Sequence, residues 1–184
     1  MRGFGCDEAM AIDNILMRVR PVLTTTPVRW TNLIQALPAE LLSEPPAPGE
    51  WSARECLQHL VDTERSVFPV RIKAILAGKD FPAFDPDAQG TTPDVNQSLI
   101  DLMSEFTRLR SEGLDTLAQV TPGDLPRRAR HAELGMVTMS ELLHEWAGHD
   151  LMHTVQAERA LMQPFIRGCG PWQSYFVDHI ARQA

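Results

Sequence analysis

Two capping boxes constrain the fold of this chain more than any other sequence feature. In Ser52-Ala53-Arg54-Glu55 and Thr138-Met139-Ser140-Glu141, a hydroxyl and a carboxylate three residues apart can each bind an otherwise unpaired backbone N–H at a helix start. Apolar residues at helical spacing follow each box, up to Gly78 after the first box and up to Gln163 after the second. The sequence therefore predicts two long helices at these positions.

Two more helical segments are predicted between and before these helices. Thr92-Pro93-Asp94 has the composition of a helix start, and the apolar stripe that follows it continues to Thr121. A shorter first core helix is predicted over residues 27–37, where Pro27 would occupy the first turn. Loops that carry proline and glycine separate the four segments.

Residues 1–25 are ambiguous, because Pro21 and the threonines at 24–26 interrupt a composition that is otherwise helical. No segment between the helices strongly indicates a sheet, although Met136 and Val137 could make a brief extended contact. The sequence therefore predicts an all-α fold.

Composition and charge narrow the class of protein. The chain has 184 residues, of which 43% are hydrophobic and 22% are charged, as in an ordinary single-domain globular protein. A net charge of -7, with no basic run beyond Arg127-Arg128-Ala129-Arg130, argues against a nucleic-acid partner. No apolar stretch approaches the roughly 18 residues of a membrane span, and the N-terminal residues lack the apolar core of a secretory signal. Three cysteines without a Cys-x-x-Cys pair fit a reducing compartment, so we expect a cytoplasmic protein without a membrane partner.

His149 and His153 are the residues that indicate most about function. Their four-residue spacing places both imidazoles on one face of the last helix, within its apolar stripe. Leaving two buried imidazoles without partners would cost on the order of 1–3 kcal/mol each, and a shared cation would satisfy both. The alternative is a pair of buried neutral histidines that are hydrogen-bonded within the protein.

A two-histidine metal site needs at least one more ligand, and the pattern alone leaves several candidates. His144 falls on the opposite side of the helix, and His131 is expected in a solvated loop. His59 lies about 140° from the centre of the apolar stripe of its helix, which counts against it. Small, mildly polar residues share its side, as they would on a pocket wall. His179, a carboxylate and a cysteine also remain open.

A second apolar row lies on the last helix, opposite the histidines. Its members are Ala147, Gly148, Leu151, Val155 and Met162. A helix with two apolar faces needs two partners, so the second row indicates a homodimer, unless the C-terminal segment 171–176 covers it within one chain.

Two separated motifs resemble those of the DinB/YfiT-like superfamily. The first motif runs from Trp51 to Glu64 and includes His59. The second motif comprises residues 131–135, residues 138–143, and His149 to His153 with Gln156. Both motifs occur in the order and spacing of that family, and they cover most of residues 27–177.

The resemblance implies a four-helix bundle, usually homodimeric, that binds a divalent metal through three histidines. Here the domain would span residues 26–184, with residues 1–25 as an extension and a short C-terminal addition. The ligands would be His59, His149 and His153. Zinc, nickel and iron all suit imidazole ligands.

The resemblance also implies chemistry on a small molecule. Characterised members transfer low-molecular-weight thiols, and related members are isomerases or hydrolases. A divalent ion with an open position can lower the pKa of a bound thiol or water, which suits a metal-dependent thiol transferase or hydrolase. A metal-binding or stress-response protein without turnover is the alternative function, and no catalytic residue is assigned.

The acidic residues near these histidines are interpreted as structural or supporting groups. Asp150 stands where some zinc proteases carry a glutamate base, but it is one methylene shorter, and the third histidine lies upstream on another helix. We interpret Asp150 as a buried acceptor that orients a neighbouring group. Asp62 and Glu64 could support the metal ligands or form a solvated face, and Cys56 is interpreted as core filling.

Overall fold

The computed structural model describes residues 6–84 and 97–181. Within these ranges the α-helices are α1 (Cys6–Ala36), α2 (Ala39–Ser43), α3 (Ala53–Ser66), α4 (Phe68–Leu76), α5 (Leu99–Leu117) and α6 (Met139–Gly168). The other elements are 3-10 helices at Pro122–Asp124 and Gly170–Phe176, and strands β1 (Arg128–His131) and β2 (Gly135–Thr138). Of the helices described, none has the length and apolar character that crossing a membrane requires.

The long helices α1, α3, α5 and α6 form a four-helix bundle. Helices α1 and α3 lie diagonally opposite each other, because each packs against both α5 and α6. Large apolar side chains fill the interior, and Trp30, Leu57, Phe106 and Trp146 are each at most 1% exposed. The predicted all-α bundle is therefore confirmed.

Both predicted capping boxes are present. The Ser52 hydroxyl accepts a hydrogen bond from the Glu55 N–H, while the Ser52 N–H donates to the Glu55 carboxylate at 2.7 Å. Thr138 and Glu141 make the same reciprocal pair at the start of α6. The third predicted helix is present as α5, which begins at Leu99, and the predicted start at residues 92–94 lies outside the described residues.

The predicted break in the first helix is wrong, because α1 continues through Pro21 and Pro27 to Ala36. Proline at 27 cannot donate an N–H to the carbonyl of Leu23. The Arg110 guanidinium donates to that carbonyl instead, at 2.9 Å. The predicted start of a core helix at residue 27 is wrong for the same reason, and the predicted domain boundary after residue 25 falls inside a helix.

The second predicted helix is in fact two, α3 and α4, which meet at Val67. The backbone leaves regular helical geometry there, with φ -116° and ψ -79°. Pro69 explains the break, because its ring displaces the preceding turn and it has no N–H for a helical hydrogen bond. The break directs Phe68 and Arg71 of α4 toward the pocket described below.

The loop before α6 contains an antiparallel hairpin of β1 and β2, with Arg130 opposite Met136. The brief extended contact expected at Met136 and Val137 is thus one strand of a pair. Phe81 adds a bridge to His131, and its N–H donates to the Arg130 carbonyl. His131 is consequently buried, so the prediction that it is solvated is wrong, although Arg128 and Arg130 are exposed.

Candidate metal centre

Three histidines from two helices converge beside the bundle core. His59 comes from α3, and His149 and His153 come one turn apart from α6. Their candidate ligand atoms all lie within 4.8 Å of one another, and Nε2 of His59 is 3.0 Å from Nε2 of His149. The structure therefore brings together the three histidines that the resemblance singled out.

These imidazoles are neutral near pH 7, which is the form that can bind a metal. Burial, followed by the nearby charge of His153, lowers the pKa of His59 to about 4. Burial, followed by the neighbouring histidines and Arg110, lowers the pKa of His149 to about 2. A neutral ring keeps one nitrogen lone pair free for coordination.

Gln156 fixes the orientation of the third ring. Nδ1 of His153 lies 2.8 Å from Oε1 of Gln156. Since that amide oxygen can only accept, Nδ1 carries the hydrogen and Nε2 is left with its lone pair. The family motif includes Gln156 but does not indicate its role. Its position three residues after His153 on the same helix is the sequence signal that the two side chains interact.

Aromatic rings surround the three histidines. The ring centroid of Trp51 is 5.0 Å from that of His59 and 5.8 Å from that of His153, on which it stacks. The Phe68 ring meets His149 edge-on at 5.2 Å. Such neighbours exclude water and strengthen electrostatic interactions inside the cluster.

The donor set fits a divalent ion. Metals such as zinc bind imidazole nitrogen at about 2.0–2.1 Å, so two ligating nitrogens must lie within roughly 4 Å of each other. The 3.0 Å separation of the His59 and His149 Nε2 atoms meets that requirement. A hydrogen bond between His59 and His149 would explain the approach of these two rings more simply. It does not explain why His153 converges on the same point.

Asp150 is buried, as predicted, and it forms an ion pair with Arg110 that was not predicted. Both of its oxygens accept hydrogen bonds from the Arg110 guanidinium, at 2.6 and 2.8 Å. The same guanidinium donates to Glu64 at 2.7 Å, and Glu64 also accepts the Trp146 indole N–H. Glu64 is therefore buried and not part of a solvated face.

This charged cluster, comprising Arg110, Glu64 and Asp150, ties the bundle helices together next to His149. Although burial opposes its charge, the charges of Asp150 and Glu64 raise the pKa of Arg110, so it stays protonated. Gly113 leaves room for the cluster, because a Cβ there would lie 2.8 Å from Oε2 of Glu64. Arg110 lies within the apolar stripe of α5, and a charged residue in such a stripe is the sequence signal for a buried ion pair.

The remaining candidates lie apart from the three histidines. Asp62 accepts hydrogen bonds from Gln58 and Arg65, so its predicted support of the ligands remains a prediction. Cys56 is fully buried, and burial with the nearby charge of Glu55 raises its pKa to about 12, which fits core filling. His144 is exposed as expected.

A pocket of about 360 Å³ opens beside the histidines and is lined by both His59 and His149. Phe81 and Phe84 line it as well. The three-histidine cluster is therefore open to a small molecule on one side.

A four-helix bundle with three converging histidines, two of which line a pocket, defines a class of protein that comparison with known families identifies. A model of the DinB superfamily matches residues 23–157, and the chain belongs to that superfamily. YfiT from Bacillus subtilis, described as a probable metal-dependent hydrolase with an unusual four-helix bundle topology, has a similar structure. The TM-score is 0.69 at 17% identity, over 90% of this chain and 91% of that chain. A search of curated proteins finds no match.

Proposed function

We propose that this protein binds one divalent transition metal through His59, His149 and His153 and uses it in reactions of a small thiol or of water. The observation that carries the proposal is that the ligand atoms of these three imidazoles lie within 4.8 Å of one another, and that His59 and His149 line an open pocket. The description of YfiT as a probable metal-dependent hydrolase supports it. Zinc, nickel and iron all suit the donor set.

The chemistry would follow from the open side of the site. A divalent ion held by three neutral ligands supplies a Lewis acid that lowers the pKa of a thiol or water to near neutrality. His59, His149 and His153 would hold the metal ion, and Gln156 keeps the His153 ring oriented. The rings of Trp51 and Phe68 exclude bulk water.

Metal-dependent turnover tests the enzymatic part of this proposal. The purified protein would be stripped with a chelator, reloaded separately with zinc, nickel or ferrous iron, and assayed for thiol transfer to electrophiles and for ester and amide hydrolysis. We expect activity in one of these classes, only after reloading. Metal binding without turnover in any assay would instead favour the alternative, a metal-binding or stress-response protein without catalysis.

We further propose that the protein is a cytoplasmic homodimer that pairs through the second apolar row of α6. Leu151 is 40% exposed and Val155 is 64% exposed, so the C-terminal 3-10 helix leaves this part of the row open. Contiguous exposed apolar residues are typical of a protein interface.

Light scattering at micromolar concentration tests the dimer. Wild-type protein is expected at twice the chain mass, whereas Val155→Asp, which places a charge in the row, is expected to be monomeric. Val28→Asp, at a similarly exposed apolar residue on α1, should remain dimeric. A strictly monomeric wild type would contradict the proposal.

A further inference from the structure

The end of the pocket that α4 and the hairpin form carries an arginine for which the described part of the chain provides no ion-pair partner. Arg71 of α4 lines the pocket, and its guanidinium lies 5.2 Å from the centroid of the Phe81 ring. Among the described residues, no carboxylate oxygen lies within the 4.0 Å of an ion pair with Arg71. Within residues 6–84 and 97–181, this half-buried cation therefore lacks the ion-pair partner that such groups normally have.

The neighbouring His131 presents a second hydrogen-bond donor to the same place. Nδ1 of His131 lies 3.2 Å from the backbone N–H groups of both Glu133 and Leu134, which can only donate. Nδ1 therefore accepts, and a neutral ring must carry its hydrogen on Nε2. Burial, followed by the charge of Arg71, lowers the pKa of His131, so the ring is neutral.

Two donors then face each other without an acceptor. Nε2 of His131 lies 3.2 Å from Nη2 of Arg71, and with hydrogens on both nitrogens neither can accept from the other. A group with several lone pairs and a negative charge would accept from both, as carboxylates and phosphates do. Among the described residues, Arg71 and His131 are thus the donors of an anion site.

The acidic residues of the pocket do not supply that acceptor. The Glu141 carboxylate is already bound to the backbone N–H and hydroxyl of Thr138. Glu133 and Glu145 raise the pKa of Arg71, but their carboxylate oxygens lie beyond ion-pair distance from its guanidinium.

We propose that Arg71 and His131 bind an anionic oxygen group of the substrate, a carboxylate or a phosphate, while the reacting atom lies at the histidines. The inference rests on the proposed function, since it takes this pocket as the place where the reacting molecule binds. His59 and His149 line one part of the pocket, and Arg71 and His131 line another. The substrate class is therefore a small molecule with a reactive thiol or acyl group and a separate anionic group.

The ring nitrogens of His131 give a direct test that needs no variant. Nitrogen NMR of the metal-free, full-length protein distinguishes a protonated nitrogen from one with a lone pair. We expect hydrogen on Nε2 and a lone pair on Nδ1. The reverse assignment would let Nε2 accept from Arg71, satisfy the pair internally and overturn the inference.

Anion binding is then measured on the same metal-free protein by NMR titration with propionate and, separately, with inorganic phosphate, with 1-propanol as the neutral probe. We expect saturable shifts at Arg71 and His131 with at least one anion and none with 1-propanol. Arg71→Gln should weaken anion binding about tenfold or more. Lys73→Gln removes an exposed cation from the same helix and should bind as the wild type does.

No saturable shift with either anion in the wild type, or equal binding by the wild type and Arg71→Gln, would overturn the inference. The stronger of the two probes identifies the anionic group as a carboxylate or a phosphate. Metal analysis of the same protein after reconstitution with zinc, nickel or ferrous iron separates the two proposals. A protein that binds the anion but no metal would retain the anion site and contradict the proposed metal chemistry.

Discussion

Replacing His149 with alanine is expected to abolish stoichiometric metal binding. The wild type should carry close to one transition metal ion per chain, and His149→Ala should lose at least about 100-fold in affinity, because losing a ligand costs more than losing a group that orients one. Gln156→Ala removes only the acceptor for Nδ1 of His153, so we expect an intermediate loss, about 10- to 100-fold. Elemental analysis and competition with a chromogenic chelator would measure both effects.

His144→Ala is the matched control for this experiment. His144 lies on the same helix but is exposed, and its Nδ1 lies 2.9 Å from the backbone carbonyl oxygen of Ser140. It should bind metal as tightly as the wild type. Wild-type protein that stays metal-free after reconstitution with zinc, nickel and iron would contradict the metal site.

Replacing Arg110 with methionine is expected to cause the largest loss of stability of any single change in the bundle. The substitution leaves the carboxylates of Asp150 and Glu64 buried, at 1% side-chain exposure each, without their cation. Breaking a buried ion pair from one side costs about 3–5 kcal/mol. The free energy of unfolding from urea denaturation would measure the loss.

Two further variants show whether uncompensated charge causes that loss. Arg108→Met on the same helix removes an arginine that is 57% exposed, and we expect a change within about 0.5 kcal/mol. Adding Glu64→Gln and Asp150→Asn to Arg110→Met removes the buried charges and should recover part of the lost stability. A loss below about 1 kcal/mol for Arg110→Met alone would contradict the role assigned to the charged cluster.

The helical architecture could be predicted because its signals are local. A capping box and the apolar residues after it lie within one segment, so the starts of α3 and α6 were predicted correctly. The same locality explains the error in α1. Proline at 27 should end a helix when judged by its neighbours alone, but the Leu23 carbonyl finds a donor 87 residues away in Arg110.

Local sequence patterns likewise predicted only part of the candidate site. The spacing of His149 and His153 predicted that they share a face of α6, but no pattern within α3 selected His59, which the family resemblance supplied. The position of His59 away from the apolar stripe of α3 even counts against it. The reason is that a pattern of apolar residues cannot distinguish the polar wall of a buried pocket from an exposed helix face. The buried state of His131 depends on the pairing of β1 with β2 and on the bridge to Phe81, and neither is visible in a helical pattern.

The break at Val67 between α3 and α4 divides the pocket into two parts with different structural support. His59 and His149 stand on long helices at the centre of the bundle, where substitutions disturb the packing of the whole domain. Arg71 is half-buried on the short α4, next to the hairpin and outside the four long helices. If the proposed anion site binds the substrate, its preference would change through a few residues of α4 and the hairpin, while the three histidines stay on the long helices that hold them.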